Sequence, residues 1–223
     1  MKYVLSIFVI CMMVISAQAG TYKNNFNDGN LDGWKIINTM GNTSEWKVEN
    51  GVLICRRDNI WISNLVFGEE GWKNYSIECD AKMIQALDPQ LHAMGIDLRL
   101  TGELTLVWCA MGDNVKWAIL EVWLNDNNGP AKHVDKNFDF QLDRWYHLKG
   151  VANKDKFEFY VDGELFLSFT DSNLPAGRIG LSASSCIAYF DNVIITGDDV
   201  PGNSSAVDPK NKLATSWGQM KSR

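Results

Sequence analysis

Basic residues are in the minority in this chain. Lys and Arg number 21 against 27 Asp and Glu, for a net charge of −6. A nucleic-acid binder needs a basic stripe, and anionic membrane surfaces attract one, so neither partner is expected. Histidine is rarer still, at three residues. No His or Cys stands at zinc-ligand spacing and no CxxC pair occurs, which excludes a zinc-finger framework. There is no HExxH, no Ser-His-Asp spacing and no phosphate-binding glycine loop. Helix signals are nearly absent from the body of the chain. Internal repeats and low-complexity tracts are missing as well.

Long apolar runs are confined to the N-terminus. Lys2 gives a short positive start, residues 3–16 form an apolar stretch, and Ala17-Gln18-Ala19 supplies the small-x-small pattern of a cleavage site. Residues 1–19 therefore read as a secretory signal cut before Gly20. The stretch is shorter than the roughly 20 residues that span a bilayer, which favours cleavage over an anchor. The chain is expected to be secreted, whether extracellular, periplasmic or at the cell surface, with no membrane span after cleavage.

Four cysteines remain beyond the signal: Cys55, Cys79, Cys109 and Cys186. Export permits disulfides. Each, however, lies in an apolar, strand-like run, where a free thiol behaves as a small hydrophobe. Buried thiols are favoured over a disulfide framework.

Short strands punctuated by turns fill residues 20–197. Asn50-Gly51 separates 44–48 from 52–55, and Asp162-Gly163 separates 157–161 from 164–167. Both pairs suit tight type I′ hairpin turns. Further strands are expected at 60–67, 75–84, 93–100, 104–110, 115–124, 145–152, 178–183 and 189–196. About a dozen short strands indicate a sandwich or barrel. In 75–83, Tyr75, Ile77, Cys79, Ala81 and Met83 share one face, and Ser76, Glu78, Asp80 and Lys82 the other, as in a strand with one face on a core. The 115–124 strand differs. Ala118, Leu120, Val122 and Leu124 form an apolar face, while Trp117, Ile119, Glu121 and Trp123 form a face that is neither ordinary core nor ordinary solvent surface. Residues 198–223 read as a polar linker and short tail. Leu213, Trp217 and Met220 stand at helical spacing there, but a frayed end is favoured for so short a segment.

Two sets of residues carry a family resemblance. The first is Phe26-Asn27-Asp28-Gly29-Asn30-Leu31-Asp32-Gly33-Trp34 with Trp46-Lys47-Val48-Glu49-Asn50-Gly51-Val52-Leu53. The second is Arg144-Trp145-Tyr146-His147-Leu148-Lys149-Gly150, Tyr160-Val161-Asp162-Gly163, Gly177-Arg178-Ile179-Gly180-Leu181 and Tyr189-Phe190-Asp191-Asn192-Val193. Together they resemble concanavalin A-like lectin/glucanase jelly rolls, a group that includes laminin-G-like modules and 3-keto-disaccharide hydrolase domains. The resemblance covers residues 22–197. It implies an all-β fold: an antiparallel two-sheet jelly-roll sandwich whose concave sheet often carries a carbohydrate site. It says less about activity, because the superfamily holds binders and enzymes.

Laminarinase-type glucanases of this superfamily use a Glu-x-Asp-x-x-Glu strand, and retaining hydrolysis needs two carboxyls about 5 Å apart. The nearest match is Glu121-Val122-Trp123-Leu124-Asn125-Asp126. Trp123 replaces the middle Asp and Asp126 the final Glu, so the pair is broken. The 3-keto-disaccharide hydrolase resemblance keeps Gly95, Ile96 and Arg99 of a family run but loses its Asn-Ser. His92 and His147 are the available general bases, and His133 lies in a loop-like stretch. The question of catalysis stays open, leaning towards none.

Sugar binding needs less: aromatic faces for pyranose rings, and Asp, Glu, Asn or Arg for hydroxyls. The expected carbohydrate-binding residues are Trp117, Glu121, Trp123, Asp97, Arg99 and His147, with a glycan or polysaccharide as partner. The competing reading buries the tryptophans under a loop and pairs Asp97 with Arg99. A structural calcium is a further expectation. Asp28, Asn30 and Asp32 alternate as in the first half of a calcium loop, but Thr39 stands where a bidentate Glu would close it. The resemblance adds Asp191 as a late ligand. The leading expectation is a secreted, non-catalytic carbohydrate-binding or adhesive module. The alternatives are a glycoside-processing enzyme of the 3-keto type and a structural surface protein without glycan binding.

Overall fold

Asn50 and Gly51 both adopt positive φ, at 55° and 73°, and so do Asp162 and Gly163, at 51° and 85°. That is the backbone of the two type I′ hairpins expected from the Asn-Gly and Asp-Gly pairs. The computed structural model describes residues 19–38, 44–58, 61–89, 91–112, 117–125 and 128–202. The expected export signal falls outside them save for Ala19, as does the tail from residue 203 onward.

Among the described residues, fifteen strands build two antiparallel sheets. In chain order they are β1 (Gly20–Asn24), β2 (Lys35–Asn38), β3 (Glu45–Glu49), β4 (Val52–Arg57), β5 (Ser63–Phe67), β6 (Tyr75–Ala86), β7 (Ala93–Gly102) and β8 (Thr105–Gly112). They continue with β9 (Trp117–Leu124), β10 (Lys132–Asn137), β11 (Tyr146–Asn153), β12 (Lys156–Val161), β13 (Glu164–Thr170), β14 (Arg178–Ser184) and β15 (Cys186–Gly197). One sheet runs β13-β12-β11-β6-β15-β4-β3, with β1 also on β15; the other runs β10-β9-β8-β7-β14-β5-β2. This is the expected jelly-roll sandwich. No helix among the described residues is long and apolar enough to cross a membrane.

The expected strands are present, with ends moved by a few residues. Three are additional: β1, β2 and β10. β10, Lys132–Asn137, has one apolar residue in six and so carries no hydrophobic period to read. The expectation that His133 lies in a loop is corrected, because it pairs with Glu121 across β10 and β9.

The core lies between the sheets. Ile77, Cys79, Ala81 and Met83 of β6 meet Met94, Ile96 and Leu98 of β7 and Ala118, Leu120 and Val122 of β9, all fully buried. Alternation along each strand drives this, since burying each of the Val, Leu, Ile and Met side chains contributes roughly 1.5–3 kcal/mol. The four cysteines are buried free thiols in the same core. Burial pushes Cys186 up to about 12 and the other three well above the usual thiol range. Val200, read as linker, is buried in the core cluster, so the domain extends past residue 197.

A second apolar cluster coats the outer face of the seven-stranded sheet. It contains Ala93, Leu104, Leu106, Trp108, Ala110 and Ile119. An outer face covered in apolar and aromatic side chains is unusual for an antiparallel sheet, whose second face is commonly solvated. Close packing is maintained there by Gly95: a Cβ at this position would lie 2.2 Å from the Cys109 carbonyl oxygen and 2.9 Å from the Ala110 Cα. Gly95→Ala is therefore expected to destabilise the fold by about 1–3 kcal/mol, read as a lower urea midpoint at unchanged slope. An unchanged midpoint would contradict this packing.

Candidate functional site

Residues directly opposite each other in an antiparallel pair share a face. In the seven-stranded sheet this register lays out a continuous row: His133 on β10, Glu121 on β9, Trp108 on β8, Asp97 on β7 and Gly180 on β14. Trp123 sits opposite Leu106, and Ile119 lies between Asp135 and Ala110 on the same face. Trp117, Ile119, Glu121 and Trp123 thus share the outward face of β9, and β8 places Trp108 beside them.

A groove of about 450 Å³ opens over this face. Trp61, Trp117 and Trp123 stand half-buried around it, with Trp108, Ile119 and Leu104 among its lining. Its polar lining is Glu121, His133, Asp135, His92 and Ser184. His92 is buried and its Nδ1 lies 2.7 Å from the Asp88 carbonyl oxygen.

Glu121 organises the polar wall. Its side chain is 9% exposed, and each carboxylate oxygen has a partner. The Trp123 indole Nε1 donates to Oε2 at 2.8 Å, and His133 Nδ1 lies 2.7 Å from Oε1. The other ring nitrogen of His133, Nε2, lies 3.1 Å from Asp135 Oδ1. Both contacts are hydrogen bonds only if both nitrogens carry protons, as in the imidazolium. Burial works against charging His133, but the hydrogen bonds and charges of Glu121 and Asp135 outweigh it and raise its pKa. The cluster is then an acid–imidazolium–acid chain in an aromatic groove. It can accept hydrogen bonds from hydroxyl or ammonium groups, and His133 can exchange a proton with a bound molecule.

Of the six expected sugar-binding residues, three line this groove: Trp117, Glu121 and Trp123. Asp97 shares their face but is completely buried, and neither of its oxygens has a hydrogen-bond partner. Its carboxylate leans over Gly180, where a Cβ would lie 2.6 Å from Oδ2. Burial raises Asp97 to about 7, against the smaller opposing effect of Ser182. The expectation that Asp97 and Arg99 share one face is corrected, and so is the competing reading that pairs them. β7 bulges after Leu98, and Arg99 takes a left-handed φ of 56°, which turns its side chain to the sandwich interior. There Nη1 donates to the Trp72 and Pro175 carbonyls and Nη2 to that of Lys154, with the guanidinium near the Tyr75 and Phe157 rings. Arg99 ties loops together.

His147 is on the outer face of the other sheet, across the sandwich from the groove. Its Nδ1 lies 2.9 Å from Asp80 and its Nε2 3.4 Å from Glu78. The Asp80 hydrogen bond leads the causes that raise its pKa. The calcium candidates lie in an exposed loop and on β15. Asp28 and Asn30 accept the Asn30 and Asp32 backbone amides in successive turns of an exposed loop. Asp191 lies on β15 and accepts the Asn192 amide. No three His, Cys, Asp or Glu side chains come together as a metal group among the described residues.

Sequence reasoning missed Trp61, Trp108, His133 and Asp135. The signal for the last two was the parity of positions 133 and 135 around Val134, which becomes legible only once β10 is known to pair with β9.

Residues 21–196 match the family described as 3-keto-alpha-glucoside-1,2-lyase-like domain. A comparison with curated proteins finds no match. Among solved structures, the carbohydrate-binding module CBM66 from Bacillus subtilis aligns with a TM-score of 0.61 and 19% identity, covering 74% of this chain and 95% of that one. A Bacillus subtilis protein of unknown function with a galectin-like fold gives 0.60 and 11%, covering 79% and 96%. A laminarinase from Flavobacterium sp. UMI-01 gives 0.56 and 13%, covering 79% and 98%. At these identities the likeness is one of fold, and it bears out the concanavalin A-like resemblance.

The buried carboxyl of Asp97 makes a testable demand. Its folded pKa of about 7 exceeds the unfolded value of roughly 3.9, so the folded state holds the proton more tightly. Asp97 therefore favours folding least at high pH, and stability is lost as pH rises from about 4 to about 7. Urea titrations at pH 4 and pH 8 should show Asp97→Asn gaining stability over the wild type at the higher pH. Parallel behaviour at the two values would contradict the assignment.

Proposed function

The chain belongs to the 3-keto-alpha-glucoside-1,2-lyase-like family, and on that premise we propose that its outer-face groove binds a carbohydrate. The observation that carries this reading is the ring of half-buried indoles, Trp61, Trp117 and Trp123, around the Glu121–His133–Asp135 chain. Indole faces stack on the apolar faces of pyranose rings, and the carboxylates accept from sugar hydroxyls. The groove volume is in the range of small-ligand sites. The fold likeness to a carbohydrate-binding module supports the same reading.

The same cluster favours a second reading, that of an enzyme acting on a 3-keto-glycoside. Eliminating across the first two carbons of such a sugar removes a proton next to the ketone and expels the glycosidic oxygen. His133, once deprotonated, stands in the groove as a base, and Glu121 holds its ring. The glucanase reading has no such support, because Trp123 spends its indole on Glu121 where that motif needs a carboxylate.

Export of the chain is part of the proposal. β1 begins at Gly20, the first residue after the expected cleavage site, and pairs along its whole length with β15. N-terminal sequencing of the protein from culture supernatant, periplasm or cell surface should begin at Gly20. A chain retained in the cytoplasm with Met1 in place would contradict it.

Trp117→Ala and Trp123→Ala should each weaken glycan-array binding about tenfold, the typical effect of losing an aromatic anchor. A wild-type protein blank on every glycan would sink the binding reading. Turnover of a 3-keto-glucoside that is abolished in His133→Ala would establish the enzyme. Binding with no turnover leaves the non-catalytic module.

A further inference from the structure

The charges around the groove restrict what it can hold. Among the described residues, no Lys or Arg lines it, and its carboxylates are Glu121 and Asp135. Two described cations nearby are engaged elsewhere. Arg57, buried at the sandwich edge, donates its Nε to the Trp61 carbonyl at 2.8 Å. Lys132 on β10 donates to the Thr170 carbonyl and lies 5.2 Å from the centre of the Phe169 ring. Within the Glu121–His133–Asp135 cluster, one imidazolium faces two carboxylates, so the cluster keeps a net negative charge even with His133 fully protonated.

Resting on the carbohydrate reading, we infer that this groove selects sugars bearing a free ammonium group: glucosamine-type residues rather than N-acetylated, neutral or acidic ones. Three features converge on that chemistry. The indoles of Trp61, Trp117 and Trp123 present negative ring faces, which attract cations as well as sugar C–H groups. Asp135 is 56% exposed and has spent one oxygen on His133, which leaves lone pairs facing the groove mouth. Glu121 lies deeper, 9% exposed, in an apolar wall where an added positive charge is screened least. A uronic or sulfated sugar would meet the same two carboxylates with no Lys or Arg beside them among the described residues, and repulsion weakens its binding. An N-acetyl group keeps the ring stacking but removes the charge.

The test titrates the full chain with matched oligosaccharides of one length and linkage: the glucosamine oligomer, its N-acetylated form, the glucose oligomer and the glucuronate oligomer. The expected order puts the glucosamine oligomer about tenfold tighter than the glucose oligomer, with the glucuronate form weakest. Raising the salt should narrow that ratio, and Asp135→Asn, at an exposed edge-strand position, should bring it toward one. Equal affinity for the amine and hydroxyl forms, or tighter binding of the acidic one, overturns the inference and leaves the carbohydrate reading standing. Binding of other glycans on an array without any of these four also overturns the inference alone. An array blank on every glycan overturns both.

Discussion

The antiparallel register of β10, β9, β8 and β7 is the constraint on which the site depends. Each directly opposed pair lies close enough for side chains to interact, and a slip of one residue would send every side chain to the other face. In the observed register His133 faces Glu121, Glu121 faces Trp108 and Trp108 faces Asp97. The inward residues of the same strands, Leu120, Val122, Cys109 and Ile96, are fully buried between the sheets. Core burial therefore selects the register, and the register assembles the groove. Neither the acid–imidazolium chain nor the indole rim is local in sequence; both are consequences of hydrophobic packing on the opposite face.

The same sheet holds polar groups without partners. Asp97 and Asn64 are wholly buried with unpartnered side-chain atoms, and they flank Ser182, which accepts the Trp108 indole N–H at 3.0 Å. Unsatisfied buried groups cost about 1–3 kcal/mol each. Trp108 stands between this strip and the groove, so the floor of the groove rests on the least satisfied part of the fold. Arg99 is better satisfied, with only its Nε lacking a partner. A left-handed residue and a bulge send one guanidinium inward, where it satisfies three loop carbonyls and stiffens the end of the sandwich behind the sheet.

Much of the fold was legible in the sequence because hairpin chemistry and period-two patterning are local. Asn50-Gly51 and Asp162-Gly163 set their own backbone angles, and β6 sorts its faces without help. Half of the residues expected at a sugar site fall in the groove for the same reason: Trp117, Glu121 and Trp123 lie on one strand and share its parity. The rest was hidden by physics that acts across strands. β10 is a polar edge strand, so His133 and Asp135 showed no period. Trp108 reads as an ordinary core residue until β8 is known to lie between β7 and β9. Arg99 has the right parity but the wrong backbone, because a bulge is invisible in a pattern of alternation. His147 is on a face that the resemblance did not distinguish from the face that carries the groove.

The central claim is that one groove, and no other surface, receives the sugar. Nitrogen-edited NMR on the full chain reports it directly through the indole N–H groups. Saturating glycan should move the Trp117 and Trp123 indole signals and the His133 ring signals together. Those of Trp46, bonded to Ser63 in the interior, and of Trp72, packed beside Tyr75, should stay in place. Shifts centred on Trp46 or Trp72, or on His147 across the sandwich, with the groove signals unmoved, would contradict the account.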